Sequence, residues 1–246
     1  MSLPPSSALA SAAVAGQALA LVLLNLAGTL PVAPQAQAEA MTAARRGGSI
    51  LAPRLRAISD VAAMTAALIL AVQMLARACE PSDAAAGLYV AAGAAPGCAP
   101  VSASPILTRE YALSRAVCAG FEAACLGEAF LCEARTTFGD RQAASAARDR
   151  IIVAHDAALD RISAVLGQGA AFVLGTAAGQ TCAHLVDISG SLQPIVQAEA
   201  GRSMPSTGLA WSLYGDPVRS AELVARNRCG TPLFMPATFE ALAPKS

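Results

Sequence analysis

The fold class is decided by residues 147–166, which read ARDRIIVAHDAALDRISAVL. Apolar residues recur there every three or four positions, so that one face of a helix carries Ile151, Ala154, Ala158, Ile162 and Val165. The charged side chains lie mostly off that face, namely Arg148, Asp156, Asp160 and Arg161. This pattern predicts an amphipathic α-helix from about Arg141 to Leu166, which ends at Gly167.

A second strong helix precedes this one, and the two are separated by a short turn. It is predicted from about Ile106 to Thr137, where the letters TTFGD close it. So short a connection predicts an antiparallel α-hairpin. A weaker helix, from about Ala170 to Val186, follows.

The composition of the whole chain agrees with a mainly α protein. Of 246 residues, 55% are hydrophobic but only 4% are aromatic, so alanine carries much of the packing. Strict alternation of apolar and polar residues is nearly absent, which argues against a large sheet. The 17 basic and 17 acidic residues balance, and a nucleic-acid-binding protein normally displays a basic surface. We therefore expect no nucleic-acid partner.

Two apolar runs near the N-terminus are similar to membrane signals. The run Ala8–Leu30 precedes an Ala-x-Ala pattern, and cleavage there would leave a chain starting near Glu39. It lacks a cationic start, however, and polar residues interrupt it. The run Val61–Ala76 is shorter than the ~20 residues that span a bilayer. We expect both runs to be retained, buried helices, with no membrane partner.

Changes in composition divide the chain into four segments. Residues 1–80 hold the N-terminal apolar helices, and residues 81–105 are rich in Gly, Pro and Ser. That second segment is predicted to be a long loop, with a short strand at Leu88–Val90. Residues 106–200 are predicted to form a helical bundle, and residues 201–246 a small C-terminal module.

The C-terminal module contains a densely specified stretch, Gly208–Phe234, with the letters GLAWSLYGDPVRSAELVARNRCGTPLF. A helix beginning near Pro205 should end at a turn, after which Asp216 caps a second helix and Pro217 takes its first position. Asn227 should end that helix in the left-handed conformation, and Phe234, Phe239 and Leu242 should pack back. The residues expected to define the module or its contacts are Trp211, Tyr214, Gly215, Asp216, Arg219, Glu222, Asn227 and Phe234.

This stretch resembles the C-terminal end of the DNA circularisation (N-type) tail proteins of Mu-like phages. The matching residues are Leu213, Tyr214, Gly215, Asp216, Arg219, Glu222, Leu223, Asn227, Pro232 and Phe234. The resemblance implies a structural protein of the virion, assembled in the host cytoplasm and placed in the tail baseplate. Its partners would be other tail and hub proteins and copies of itself. The neutral net charge argues against carrying over an activity on DNA.

The same stretch is also similar to a LysM module, which binds peptidoglycan or chitin. The residues that fit are Ala210, Leu213, Tyr214, Gly215, Asp216 and Asn227. The usual opening strand is not predicted before Pro205, because VQAEAGRSM has little β character. A LysM-like module that binds proteins is the favoured interpretation, and a cell-wall-binding LysM protein is the alternative.

Catalytic and metal-binding patterns are not evident in the sequence. The two histidines, His155 and His184, have no zinc-type spacing around them. No serine has the surroundings of a nucleophile, and no phosphate-binding glycine loop occurs. Isolated acidic residues are expected on the surface. We therefore expect a protein that is not an enzyme and that needs no cofactor or metal.

Seven cysteines raise the question of disulfides: Cys79, Cys98, Cys118, Cys125, Cys132, Cys182 and Cys229. The three in the middle recur every seventh residue on one helix face, about 10 Å apart, so they cannot bond each other. They either pack as small apolar residues or meet Cys182, Cys229 or a neighbouring subunit. Cys79 precedes the predicted loop and Cys98 lies within it, and a disulfide between them is expected.

Overall fold

The computed structural model describes residues 5–243, and it confirms a mainly α protein, 77% helical. Within those residues ten α-helices accompany one two-stranded sheet. The helices are α1 (Ser6–Thr29), α2 (Pro34–Arg45), α3 (Ile58–Ala78), α4 (Pro81–Ala94), α5 (Pro105–Glu110), α6 (Ala112–Arg135), α7 (Arg141–Leu166), α8 (Gln168–Ser191), α9 (Ser206–Tyr214) and α10 (Ser220–Arg226). The strands are β1 (Ile195–Glu199) and β2 (Thr238–Leu242).

The described chain divides into two compact units. The N-terminal unit contains residues 5–136 together with Arg148–His184. The C-terminal unit contains Thr137–Ala147 and residues 185–243. The second unit thus begins earlier than residue 201, and it includes a short segment from the middle of the sequence.

Helix α6 forms the centre of the N-terminal unit. It packs against α1, α3 and α4, and Phe121 and Phe130 on it are fully buried. Small residues allow neighbouring backbones to approach closely around this core. A π-helical turn, Arg46–Leu51, follows α2, and a side chain at Gly48 would collide with the methyl group of Ala20. The core is therefore built from few aromatic residues and many close backbone contacts.

Helices α1 and α3 correspond to the two apolar runs. Both are long and apolar enough to cross a membrane by length and composition, and α3, with 21 residues, is longer than the predicted run. In the structure they pack against each other and against α6. Leu19 and Leu23 of α1 and Leu68 of α3 are fully buried. Only 44% of the most apolar part of α1 and 33% of that of α3 are buried, however, so each helix has a buried side and an exposed side.

The predicted loop at residues 81–105 is wrong over most of its length. Helix α4 occupies Pro81–Ala94, and a 3-10 turn continues it to Cys98. Leu88, predicted in a strand, is a fully buried helical residue. Pro81 is compatible with a helix because it stands in the first turn, where no amide donor is needed. Gly87 is explained by packing, since a side chain there would collide with Leu26.

The predicted helix Ile106–Thr137 is divided in two at Tyr111, whose ψ of 0° ends α5. Helices α6 and α7 then pack antiparallel as predicted, and two ion pairs join them. Arg150 donates to the Glu133 carboxylate at 2.9 Å, and Arg161 donates to Glu122 at 2.5 Å. The pairing follows the antiparallel direction, since the later residue of α6 meets the earlier residue of α7.

The two carboxylates of these ion pairs correct the expectation that acidic residues lie on the surface. Glu122 is 3% exposed and Glu133 is 1% exposed. Each is buried because an arginine from the facing helix satisfies its charge. The sequence contains a signal for this pairing, because an 11-residue spacing, about three helical turns, separates the two glutamates and also the two arginines.

The disulfide expected between Cys79 and Cys98 is also wrong. No two of the seven cysteines lie at disulfide distance. Helix α4 lies between Cys79 and Cys98, and its 14 residues rise by about 20 Å, far beyond the span of a disulfide. A disulfide with another subunit remains a prediction only for the partly exposed cysteines, which are Cys98, Cys182 and Cys229.

The three heptad-spaced cysteines act as apolar packing residues within α6. Cys118, Cys125 and Cys132 are all buried, and burial raises the pKa of the Cys118 thiol to about 12. The thiol of Cys132 donates a weak hydrogen bond to the carbonyl oxygen of Ala76, with a sulfur–oxygen distance of 3.7 Å. These side chains therefore face inward and are not available to a neighbouring subunit.

Candidate interaction surface of the C-terminal unit

The C-terminal unit places two short helices between two strands, in the order β1, α9, α10, β2. The strands pair antiparallel, with Ile195 opposite Leu242 and Glu199 opposite Thr238. The expectation of no opening strand before Pro205 is therefore wrong. Strand β1 has little β character of its own and forms because β2 supplies its partner. The helices cover one side of the sheet through a core of Leu209, Ala210, Leu223, Met235, Phe239 and Ala241.

The turn between α9 and α10 has the predicted structure. Gly215 ends α9 in the left-handed conformation, with a φ of 68°. The Asp216 carboxylate then accepts a hydrogen bond from the amide of Val218 at 2.9 Å. Pro217 occupies the first position of the following 3-10 turn. These choices are local, so the sequence alone could specify them.

Tyr214, Arg219 and Glu222 form one cluster beside this turn. The Arg219 guanidinium carbon lies 3.7 Å from the centre of the Tyr214 ring. Arg219 also donates to the Glu222 carboxylate at 2.8 Å. The Tyr214 hydroxyl accepts a hydrogen bond from the amide of Leu242 at 3.0 Å, and burial raises the pKa of Tyr214. The cluster thus joins the helical turn to β2.

Arg226 extends this cluster to a segment distant in sequence. One of its terminal nitrogens lies 3.6 Å from Glu222, and the other donates to Asp140 at 3.1 Å. Asp140 precedes α7 and belongs to the same unit. Asp140 was not among the predicted residues, because no local pattern connects two residues so far apart along the chain.

Asn227 does not take the left-handed conformation that was predicted for it, since its φ is −88°. Its side-chain amide instead donates to the carbonyl oxygens of Leu223 and Glu240, both at 2.9 Å. Its side-chain oxygen accepts from the amide of Glu240 at 2.8 Å. Asn227 therefore both caps α10 and holds β2 against it.

Arg228 adopts the left-handed conformation instead, with a φ of 51°. The amide of Cys229 bonds the carbonyl oxygen of Val224 at 3.1 Å, and that of Arg228 bonds Ala225 at 3.2 Å. This is the Schellman helix end, at which glycine normally takes the left-handed position. The chain places an arginine there at a cost in conformational energy.

Replacing Arg228 by glycine should therefore raise the free energy of unfolding of the C-terminal unit by about 0.5–1 kcal/mol. The physical reason is relief of the strained φ, which glycine adopts freely. Chemical denaturation of the two proteins measures the difference. Arg228→Ala is the matched control, because it removes the side chain but keeps the strain, and it should give no gain. A loss of stability in Arg228→Gly would contradict the prediction.

The side chains of Trp211 and Phe234, two of the predicted module residues, face solvent. Trp211 is 64% exposed and Phe234 is 71% exposed, so the expectation that Phe234 packs back is wrong. The segment around Phe234 is nevertheless held firmly. The amide of Ser206 bonds the carbonyl oxygen of Pro232 at 2.7 Å, and the amide of Met235 bonds Met204 at 3.0 Å. Phe234 is thus presented on a fixed backbone.

A polar recess of about 380 Å³ lies at the end of α10 beside the sheet. Its lining residues are Gln197, Arg226, Asn227, Arg228, Thr238, Phe239 and Glu240. Arginine and glutamate side chains contribute both signs of charge, and the amides supply donors and acceptors. The recess therefore offers hydrogen bonds to a polar ligand, and its lining carries two positive charges and one negative charge.

Metal-ligating side chains do not converge anywhere in residues 5–243 as a group of three or more His, Cys, Asp or Glu residues. His155 lies next to Asp156, with 3.1 Å between ring nitrogen and carboxylate oxygen. His184 lies on the exposed side of α8. The clustered charged side chains described above, around Glu122, Glu133 and Arg226, form ion pairs.

Comparison with known proteins adds no identification. No protein-family profile matches the chain, and no curated protein is significantly similar to it.

Proposed function

We propose that this protein is a structural component of a phage tail baseplate, which docks on the central hub or tube, and on copies of itself, through protein contacts. It performs no catalysis in this proposal. The C-terminal unit supplies the contact with the hub, and Trp211 and Phe234 are the side chains that enter it. The proposal combines the sequence resemblance of Gly208–Phe234 with the exposure of these two rings.

The observation that carries the proposal is that most motif residues are bonded within their own unit, whereas two aromatic residues remain exposed. Tyr214, Asp216, Arg219 and Glu222 are occupied by contacts within their own unit, and so is Asn227. Trp211 and Phe234 make the largest exposed aromatic surfaces there. Large aromatic side chains that stay exposed on a rigid support are typical anchors of protein–protein interfaces.

The order of elements supports a LysM-like description of this unit. A strand, two helices joined by the Tyr-Gly-Asp turn and a second, antiparallel strand follow one another. The opening strand that the sequence did not predict occupies Ile195–Glu199. We propose that the module keeps this architecture and uses it to bind protein.

Replacing Trp211 by alanine should reduce incorporation of the protein into tail particles by at least about tenfold, because an interface anchor typically contributes 2 kcal/mol or more. The measurement is quantitative mass spectrometry of purified particles, grown with the variant in place of the natural protein. Val218→Ala is the matched control, since Val218 is also apolar and is 82% exposed in the same unit. Absence of the natural protein from particles, or normal incorporation of Trp211→Ala, would contradict the proposal.

A cell-wall-binding LysM protein is the second candidate, and the polar recess beside β2 favours it. Gln197, Asn227 and Thr238 line this recess, and their donors and acceptors suit the hydroxyl and amide groups of a glycan. Sedimentation with purified peptidoglycan tests this candidate. Retention that is lost in Gln197→Ala but kept in Trp211→Ala would favour glycan binding over the baseplate proposal.

A further inference from the structure

The two-stranded sheet has two outer edges, and its hydrogen-bond pattern decides which backbone groups face outward. In an antiparallel pair, opposite residues alternate between bonding each other and pointing away. Ala243 bonds Pro194, and Ala200 bonds Ala237, so these pairs face inward. The alternation then directs the backbone groups of Ile195, Gln197 and Glu199 away from β2.

The outer edge of β2 is largely occupied by side chains of its own unit. Asn227 bonds both the amide and the carbonyl oxygen of Glu240. The Tyr214 hydroxyl accepts from the amide of Leu242. These contacts leave little room for an additional strand, because the outward groups they use are those that a new partner would need.

The outer edge of β1 is occupied only at its beginning. Gln142 donates to the carbonyl oxygen of Ile195 at 3.1 Å and accepts from its amide at 2.8 Å. Farther along, no described residue bonds the outward groups of Gln197 and Glu199. Both residues are exposed. This part of β1 is therefore an open edge of two outward-facing residues.

We propose that the open edge of β1 binds the same edge of a second copy of this chain, antiparallel and with its twofold axis at Ala198. Gln197 then lies opposite Glu199 of the partner subunit, and the two exchange main-chain hydrogen bonds on both sides of the axis. Two sheets of two strands become one sheet of four. The inference rests on the proposed function in one respect, that the protein associates with itself.

In that register, the side chains of one copy are complementary to the same side chains of the second copy. The Gln197 amide is a donor and the Glu199 carboxylate is an acceptor, so the cross-strand pair forms twice without bringing like charges together. Ala198 faces its own copy at the axis, where the strands approach most closely and a small side chain fits. Gly201, with a φ of 67°, ends the extended backbone of β1, which limits the pairing to this short stretch.

A charge exchange tests the register. Gln197→Glu places two carboxylates opposite each other on both sides of the axis and should weaken association at least about tenfold. The double variant Gln197→Glu with Glu199→Gln exchanges the members of each pair, so its dissociation constant should return to within about threefold of the natural value. Sedimentation equilibrium of the purified full chain over a range of concentrations measures all three proteins.

The double variant is also the matched control for folding. Glu240 lies opposite residue 197 within the same chain, and both variants place a glutamate beside it. A difference between them therefore reports on the contact between copies. A monomer at every concentration, an unchanged Gln197→Glu, or a double variant that stays weak would each overturn the proposal. These results use no phage components, so they leave the test of Trp211 in particles independent.

Discussion

Replacing Phe121 by alanine should lower the free energy of unfolding of the N-terminal unit by about 3–5 kcal/mol. Phe121 is fully buried on α6, the helix that packs against α1, α3 and α4. Removal of the ring loses its transfer energy and leaves a cavity that rigid neighbouring helices cannot close.

Urea denaturation followed by far-ultraviolet circular dichroism measures this loss, because most of the helical residues belong to the N-terminal unit. Leu131→Ala is the matched control. Leu131 lies on the same helix but is 53% exposed, so its truncation should change the free energy by about 0.5 kcal/mol or less. Equal effects of the two substitutions would show that α6 is not the centre of the core.

Replacing Leu223 by alanine should destabilise the C-terminal unit by about 2–4 kcal/mol. Leu223 is fully buried in the small core that α9, α10 and β2 share. The consequence is larger than in a big domain, because so small a core stabilises its unit by only a few kcal/mol. We expect α9 and α10 to be substantially unfolded in this variant at room temperature.

Trp211 is the only tryptophan of the chain, and it lies on α9, so its fluorescence anisotropy reports on the C-terminal unit alone. The anisotropy should fall in Leu223→Ala, while the circular dichroism of the remaining helices changes little. Val218→Ala, at a solvent-exposed position of the same unit, should leave the anisotropy unchanged. A cooperative loss of the whole helical signal in Leu223→Ala would contradict independent unfolding of the unit.

Helices with local signals could be predicted from the sequence, whereas those defined by distant contacts could not. Helix α7 has the predicted bounds, Arg141–Leu166, because a clear apolar period and Gly167 specify it. Helix α4 was missed because its 14 residues include Pro81, Gly87 and Gly93, and such residues are typical of turns and loops. Its Gly87 is a packing residue opposite Leu26, and composition cannot distinguish such a glycine from one in a loop.

In the candidate surface, too, single residues could be predicted where their contacts are local and could not where their contacts are distant in sequence. The turn at Gly215 and Asp216 was predictable because each bond lies within a few positions of the chain. Asn227 was assigned the wrong conformation because its partner, Glu240, lies 13 positions away. Strand β1 had no signal of its own, and its pairing with β2 depends on the fold that the helices between them impose.

The contact between Gly48 and Ala20 restricts how this sequence can diverge. Any side chain at position 48 collides with the methyl group of Ala20, so a larger residue becomes acceptable only after position 20 has lost its methyl group. Divergent descendants should therefore keep a glycine at position 48 or exchange the pair jointly. Val14 and Leu21 lie on the exposed side of the same helix and are free of this particular constraint. Substitution should thus proceed at unequal rates on the two sides of α1.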